Sequence, residues 1–298
     1  MNLRSVRKKI KSVKNVKKIT KAMQLMSAVK MKKAVAQEVE GRPFRDGLYE
    51  ILNKVSSSVD PSLSPLFQYQ ADENSSDLII FVSANKGLCG AFHLNLLKYI
   101  LKNVNLEKSE FVSVGSKGSQ AITRFDHDLI ADFSSNNPIN EVSAIFDMVL
   151  NAFYSKKYRH IKLLYTKYFS TTKSEVKLVD ILPVPKITLQ QADPSGHSLQ
   201  AERTEGYRAA NKDVIIEPEP KALIEALLKS YVEEQIRGAL ISSLAVEHSA
   251  RMLAMKNATD NAEDVIYSLT LVGNKIRQTK ITSELLDMVT AKESVETN

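Results

Sequence analysis

The sequence predicts a small α/β domain with a largely parallel sheet, inserted between two long helices that pair as an antiparallel coiled coil. Three observations point there. Helix breakers are segregated: all nine prolines lie between Pro43 and Pro220, and eight of the ten glycines between Gly41 and Gly206. Since proline costs a helix interior about 3 kcal/mol and glycine about 1, both ends can be helical while the middle turns often. Apolar residues recur at steps of three and four at both ends. In the middle, β-branched runs alternate with helix-like stretches.

The first helix is expected over residues 1–56. Leu3, Val6, Ile10, Val13, Val16, Ile19, Met23 and Met26 form its apolar stripe. Twelve of the chain's 41 Lys and Arg lie in residues 1–37, together with none of its 34 Asp and Glu. The remainder is mildly acidic, so the basicity is a device of one end.

The middle domain is expected over residues 76–186. Its strands read as 77–83, 109–115, 127–133, 160–168 and 176–184, with helix-like stretches at 91–103, 117–125 and 139–156. Strand–helix alternation at this spacing argues for a largely parallel sheet. Residues 187–218, with "ADPSGHS" and "EPEP", read as an irregular connection.

The last helix is expected over residues 219–298. Val232, Ile236, Ala239, Ser243, Val246, Ala250 and Leu253 step 4-3-4-3-4-3, and Ile266, Leu269, Gly273 and Ile276 continue the stripe. At 1.5 Å per residue it is roughly 110 Å long against about 80 Å for the first helix. Neither is stable alone with one apolar stripe, so the economical solution pairs them.

Several function classes lose ground on composition and motifs. A single cysteine, Cys89, excludes an internal disulfide and fits a reducing compartment. Basic residues recur throughout the start, which leaves no apolar signal core; the start reads as a mature soluble N-terminus rather than a removable address. No run of about 18 apolar residues exists to span a membrane. "SANKGLCGAF" follows the first strand but matches neither phosphate-loop pattern. Its Gly87, Cys89 and Gly90 read as a tight structural turn with a buried thiol. The five histidines are scattered, no cysteine pair completes a zinc site, and Ser83 and Ser116 lack a nucleophile elbow. No catalytic residue, cofactor or metal is expected.

The basic helix admits competing readings. Nucleic-acid binding would use residues 4–33 to neutralise phosphates, but the first aromatic is Phe44, so no stacking platform accompanies the charge. A membrane-surface helix would carry Trp or Phe on its apolar face, which here is Val, Ile and Met. The remaining reading is a shaft whose positive surface faces acidic partner loops.

Here the residues become specific. "IKSVKNVKKITKAMQLMSAVKMKKA" (10–34), "SANKGLCGAF" (83–92) and "RMLAMKNATDNAEDVIYSLTLVGNKIRQTKITSELLDMV" (251–289) resemble, in order, three signature stretches of the gamma subunit of F-type ATP synthases. Departures are Asn85 for the usual Asp, Gly273 for an aromatic, and Thr279-Lys280 for two small residues. The resemblance implies a non-catalytic rotary central stalk. Its implied partners are the alpha and beta subunits of the catalytic ring, the epsilon subunit and the membrane ring of c subunits, with no nucleic acid. It implies beta-subunit contacts at Lys21, Met23, Arg277, Gln278 and Thr282. The implied location is peripheral, on the cytoplasmic side of a bacterial plasma membrane. The extra cysteine pair of redox-regulated members is absent.

Overall fold

The computed structural model describes residues 2–58, 64–68, 71–72, 75–184 and 219–296, so the expected connection at 187–218 lies outside the described residues. Five helices and five strands run in the order α1 (Leu3–Ser58), β1 (Ser76–Val82), α2 (Phe92–Asn103), β2 (Ser109–Val114), α3 (Ser116–Arg124), β3 (Leu129–Asp132), α4 (Val142–Tyr154), β4 (Tyr158–Tyr168), β5 (Ser174–Leu182) and α5 (Pro220–Glu296). The chain divides into two compact units, one of residues 1–28 with 251–298, the other of residues 29–250.

In the larger unit the sheet order is β3-β2-β1-β4-β5. β1 pairs parallel with β2 and with β4, β2 pairs parallel with β3, and only the β4–β5 hairpin is antiparallel. Both faces of the central strands are covered, which is why β1 reads as a continuous apolar run rather than an alternating one. Leu78, Ile80 and Val82 pack with α4, α1 and α5 through Val149, Phe153, Leu52 and Ile236. Ile79 and Phe81 face the opposite way, against Leu96 and Ile100 of α2 and Ile122 of α3. Each such fully buried side chain stabilises the fold by about 1.5–3 kcal/mol.

β4 outruns its neighbour. Its pairing with β1 ends at Leu164, and α5 then supplies the missing partners. Ser243 Oγ accepts from the Thr166 amide at 3.1 Å, and Ser242 Oγ accepts from the Tyr168 amide at 2.8 Å. Farther on, Ser249 Oγ donates to the Thr171 carbonyl at 2.6 Å. Small polar residues on this stretch of α5 therefore satisfy backbone groups that would otherwise be orphaned beside a helix.

α1 continues through Pro43, which lies inside the helix. Proline removes one backbone hydrogen bond there, and burial of Leu48, Leu52 and Val55 just beyond it offsets the loss. Between these apolar residues and the basic end sits a buried charge. Arg45 Nη2 bonds Glu38 Oε1 at 2.5 Å and the Glu38 carbonyl at 3.2 Å, while Nη1 lies 3.4 Å from Glu234 Oε1. Gly41 makes the room: a Cβ there would stand 3.2 Å from Arg45 Nη1. Burial raises the Glu38 pKa despite the opposing pull of Arg45.

In the smaller unit α1 and α5 run antiparallel. Val6 lies against Gly273, Lys17 Nζ meets Glu263 Oε1 at 2.9 Å, and Thr20 Oγ1 lies 2.8 Å from Thr259 Oγ1. As α1 advances, α5 retreats step for step. The seam departs from the expected stripe. Val6, Ile10 and Val13 belong to it, but Lys17, Thr20 and Ser27 occupy its next turns, while Val16, Ile19 and Met26 are 51, 60 and 62 % exposed. Two successive steps of three, 13 to 16 to 19, rotate off a seam whose mean repeat is 3.5. The seam keeps its geometric period and accepts polar residues there. On α5 the expected Ile266, Leu269, Gly273 and Ile276 do lie inward, each half-buried.

Candidate partner-binding surface

The smaller unit presents the residues singled out for partner contact at two levels. Lys21 is exposed and Met23 half-buried, near the turn where Thr20 meets Thr259. Arg277, Gln278 and Thr282 are exposed on α5, just past the turn that faces Val6. Eighteen residues separate Thr259 from Arg277, which is about 27 Å along a helix. The fold therefore does not gather these five side chains into one site. It sets them at two levels along one helix pair. Thr282 Oγ1 donates to the Gln278 carbonyl at 3.0 Å, so its hydroxyl proton is engaged within the helix and its lone pairs face solvent.

Apolar exposure accompanies them. Val16, Ile19, Leu25 and Met26 on α1 are each more than half exposed. Beyond the start of α1, Leu285, Leu286, Met288 and Val289 of α5 are 54, 59, 61 and 54 % exposed. α5 overhangs α1 from about Ser283 to Glu296, roughly 20 Å of helix, somewhat less than the 30 Å expected from helix lengths. Contiguous apolar surface of this kind on a folded chain marks a binding face.

The glycine turn is a built joint. Leu88 and Gly90 take positive φ values of 62° and 58°, so the tight reversal rests on Gly90 and, less comfortably, on Leu88. Gly87 has open space where a Cβ would go. Cys89 is buried, its Sγ 3.9 Å from the Lys86 carbonyl. Asn85, which departs from the resembled signature, ties three segments together: Nδ2 donates to the Ser135 carbonyl at 2.6 Å and Oδ1 accepts from the Ser116 amide at 2.9 Å. A carboxamide accepts from an amide and donates to a carbonyl at once, which a carboxylate in the same place cannot imitate. Behind the turn Ser83 Oγ donates toward the Gly115 carbonyl at 2.9 Å and accepts from the Gly118 amide at 2.8 Å. Ser83 thus satisfies an amide in the first turn of α3 from the end of β1.

At the amino ends of β1 and β4, Asp77 holds His160 Nδ1 at 2.9 Å and Lys162 Nζ at 2.6 Å. Glu110 receives Lys157 Nζ and the Tyr158 hydroxyl, each at 2.7 Å. Burial alone would raise the Glu110 pKa, but these two bonds hold it below the usual carboxylate range. The first cluster ties β4 to its neighbour β1, and the second reaches past β1 to β2. Among the described residues no group of three or more His, Cys, Asp or Glu could hold a metal ion. Nor is any helix among them long and apolar enough to cross a membrane.

Sequence reasoning put Ser243 on the α5 stripe without its backbone role, and missed Arg45, Ser242 and Ser249. The small polar residues clustered around Ser243 in an otherwise apolar stretch are the signal that could have found the serines.

Paired terminal helices carrying an inserted α/β domain recur in known proteins. A family model described as ATP synthase matches residues 2–295. The ATP synthase gamma chain of Akkermansia muciniphila is 35 % identical over 298 residues, covering 99 % of both chains. That of Synechocystis sp. is 33 % identical over 312 residues, with 99 % of each chain covered. The chain belongs to the ATP synthase gamma chain family. In the Euglena gracilis mitochondrial ATP synthase, a chain of the OSCP/F1/c-ring assembly in rotational state 3 shares the fold, with a TM-score of 0.66 and 17 % identity over 98 % of this chain and 94 % of that one. A chain of the rotor from the same organism in rotational state 1 gives 0.62 and 16 %, over 94 % and 98 %.

Proposed function

We propose that this chain is the central-stalk subunit of a rotary ATP synthase. It stands inside a ring of alternating alpha and beta subunits, joins the epsilon subunit and the membrane ring of c subunits, and turns with that ring. Its rotation couples ion flow through the membrane sector to ATP synthesis or hydrolysis on the beta subunits. The chain itself carries no active site, and it sits peripherally on the cytoplasmic face of a bacterial plasma membrane.

The observation that carries this reading is the near full-length relationship to gamma chains. The helix pair supports it physically. Lys21 and Met23 lie at one level and Arg277, Gln278 and Thr282 at another, which suits beta-subunit loops at two heights. Exposed ion pairs are worth only about 0–1 kcal/mol each. A rotating surface needs contacts of that size, because each must break as the shaft moves to the next subunit. The nucleic-acid reading of the basic helix finds no support among these relatives.

Co-expression tests the proposal. The tagged chain should purify with alpha, beta and epsilon subunits as an ATPase-active complex. A chain that purifies without them and binds oligonucleotides with a steep salt dependence would overturn it.

A further inference from the structure

A cavity of about 370 Å³ opens in the larger unit at the amino ends of β1 and β4. Its floor is the sheet face that carries Asp77 and Ile79 of β1, His160 and Lys162 of β4 and Leu178 of β5. Its wall is the stretch from the end of α2 to the start of β2. An irregularity in the sheet builds the floor. Ser76 pairs with Tyr158 and Leu78 with Ile161, so Asp77 alone stands beside two residues, Arg159 and His160. Strand alternation sends neighbours to opposite faces. Here Tyr158, Ile161 and Leu163 all enter the core beside α4, and the extra residue leaves Arg159, His160 and Lys162 together on the cavity side. Bulges re-aim side chains in this way, often next to functional sites.

The cavity is not electrically neutral. Arg159, Lys162 and Lys108 are permanent cations, and Asp77 is the one carboxylate in the lining. Asp77 spends its oxygens on His160 Nδ1 at 2.9 Å and Lys162 Nζ at 2.6 Å, so it fixes both groups and neutralises one charge of three. Lys108, on the opposite wall, forms no ion pair among the described residues. Asp180, opposite Lys162 in the β4–β5 pairing, is outside the lining. The carboxyl end of α2 borders the cavity with partial negative charge, which Lys102 in its last turn offsets. A concave site left with an excess of one sign concentrates counter-ions.

We propose that this cavity binds a small soluble phosphomonoester. Arg159 offers a planar fork for two phosphate oxygens, and Lys108 and Lys162 offer point charges from opposite walls. Asp77 takes one of the three protons of the Lys162 ammonium, leaving two for a ligand. The volume is that of a small-ligand pocket and exceeds a bare phosphate, and Ile79, Val104 and Leu178 give the organic part an apolar surface. The proposal is independent of the central-stalk reading. The cavity lies in the larger unit, while Lys21, Met23, Arg277, Gln278 and Thr282 all belong to the smaller one.

The test titrates the full chain with ribose 5-phosphate, with ribose, and with phosphatidic acid vesicles, at about 50 mM salt, where screening is weak. Ribose 5-phosphate should bind saturably and slow hydrogen exchange in residues 75–79, 103–109 and 159–162, and ribose should do neither. Lys108→Gln with Arg159→Gln should weaken binding about tenfold, through the loss of two charge-assisted contacts. Lys108→Gln alone, at an exposed position, should weaken it about threefold, so the proposal stays testable even where Arg159→Gln disturbs folding by circular dichroism. Lys98→Gln with Lys117→Gln removes the same charge from exposed positions outside the lining and should leave binding unchanged. No saturable binding of ribose 5-phosphate, or equal weakening by the two pairs of substitutions, overturns the proposal. Binding to phosphatidic acid vesicles alone would place a lipid headgroup at these cations and overturn the soluble ligand.

Discussion

Replacing Arg45 by Met tests how the larger unit holds α1 against α5. Arg45 is 8 % exposed and sits between Glu38 and Glu234. Removing one partner of a buried ion pair costs about 3–5 kcal/mol, because the charge left behind stays desolvated. Two features lower that figure here. The Glu38 side chain keeps 29 % of its exposure, and Glu234 retains Arg237, whose Nε lies 3.1 Å away. The expected loss is therefore about 2–3 kcal/mol, at or just below the lower end of that range. For a domain of this size each kcal/mol moves the melting temperature by about 2–4 °C, so Arg45→Met should melt about 4–12 °C lower. Thermal circular dichroism with hydrogen exchange over residues 38–52 reads both the size and the place of the effect. Neutralising the whole cluster, with Glu38→Gln, Arg45→Met and Glu234→Gln together, should return to within about 1 kcal/mol of the parent, since no charge is then left unpaired. The reasoning is refuted if the single variant melts within a degree of the parent, or if the triple variant is no better than the single.

Four further outcomes are expected. The raised Glu38 pKa means that the folded chain holds this proton more tightly than the unfolded one. The stability this contributes is present at low pH and lost as pH rises through the raised value, so Glu38→Gln should gain on the parent as pH rises from the ordinary glutamate value of 4.5; a gain in the opposite direction in urea titrations at each pH refutes it. Gly118→Ala should cost about 1–3 kcal/mol by overpacking, because its Cβ would fall 2.5 Å from Ser83 Oγ and 2.6 Å from Ser113 Oγ, whereas Gly87→Ala meets nothing within 4 Å and should be nearly neutral; equal urea midpoints for the two would contradict this. Met23→Glu and Met23→Lys should impair coupling between ATPase activity and ion transport more than they lower the melting temperature, since Met23 is only half-buried; equal losses of assembly and coupling would make it merely a seam residue. Deleting residues 283–298 should weaken assembly or torque and leave the α/β domain folded, and hydrogen exchange at 283–292 as slow as at 232–253 would remove the basis for that expectation.

The long helices were legible because their signals are local. Proline and glycine are absent from residues 1–40, and Val232, Ile236 and Ala239 repeat at helical spacing on α5; each is a property of a few consecutive residues. The same holds for β1, whose run "DLIIFV" carries its own β-branched pattern. The five residues expected to touch a partner came from a resemblance in residue order, and the structure adds only their separation along the helix pair. What the chain order could not supply was which side of a helix faces inward once the pattern becomes ambiguous. Val16, Ile19 and Met26 match a helical stripe as well as Lys17, Thr20 and Ser27 match the seam. Only the path of α5 decides between them, because a partner helix selects the 3.5-residue repeat and leaves the other face to solvent. The same reason placed Arg45 inside the protein and Ser242 and Ser243 beside the free amides of β4. A polar residue is stable in such places only when partners from distant parts of the chain meet it there, and proximity between distant segments exists only in the tertiary structure.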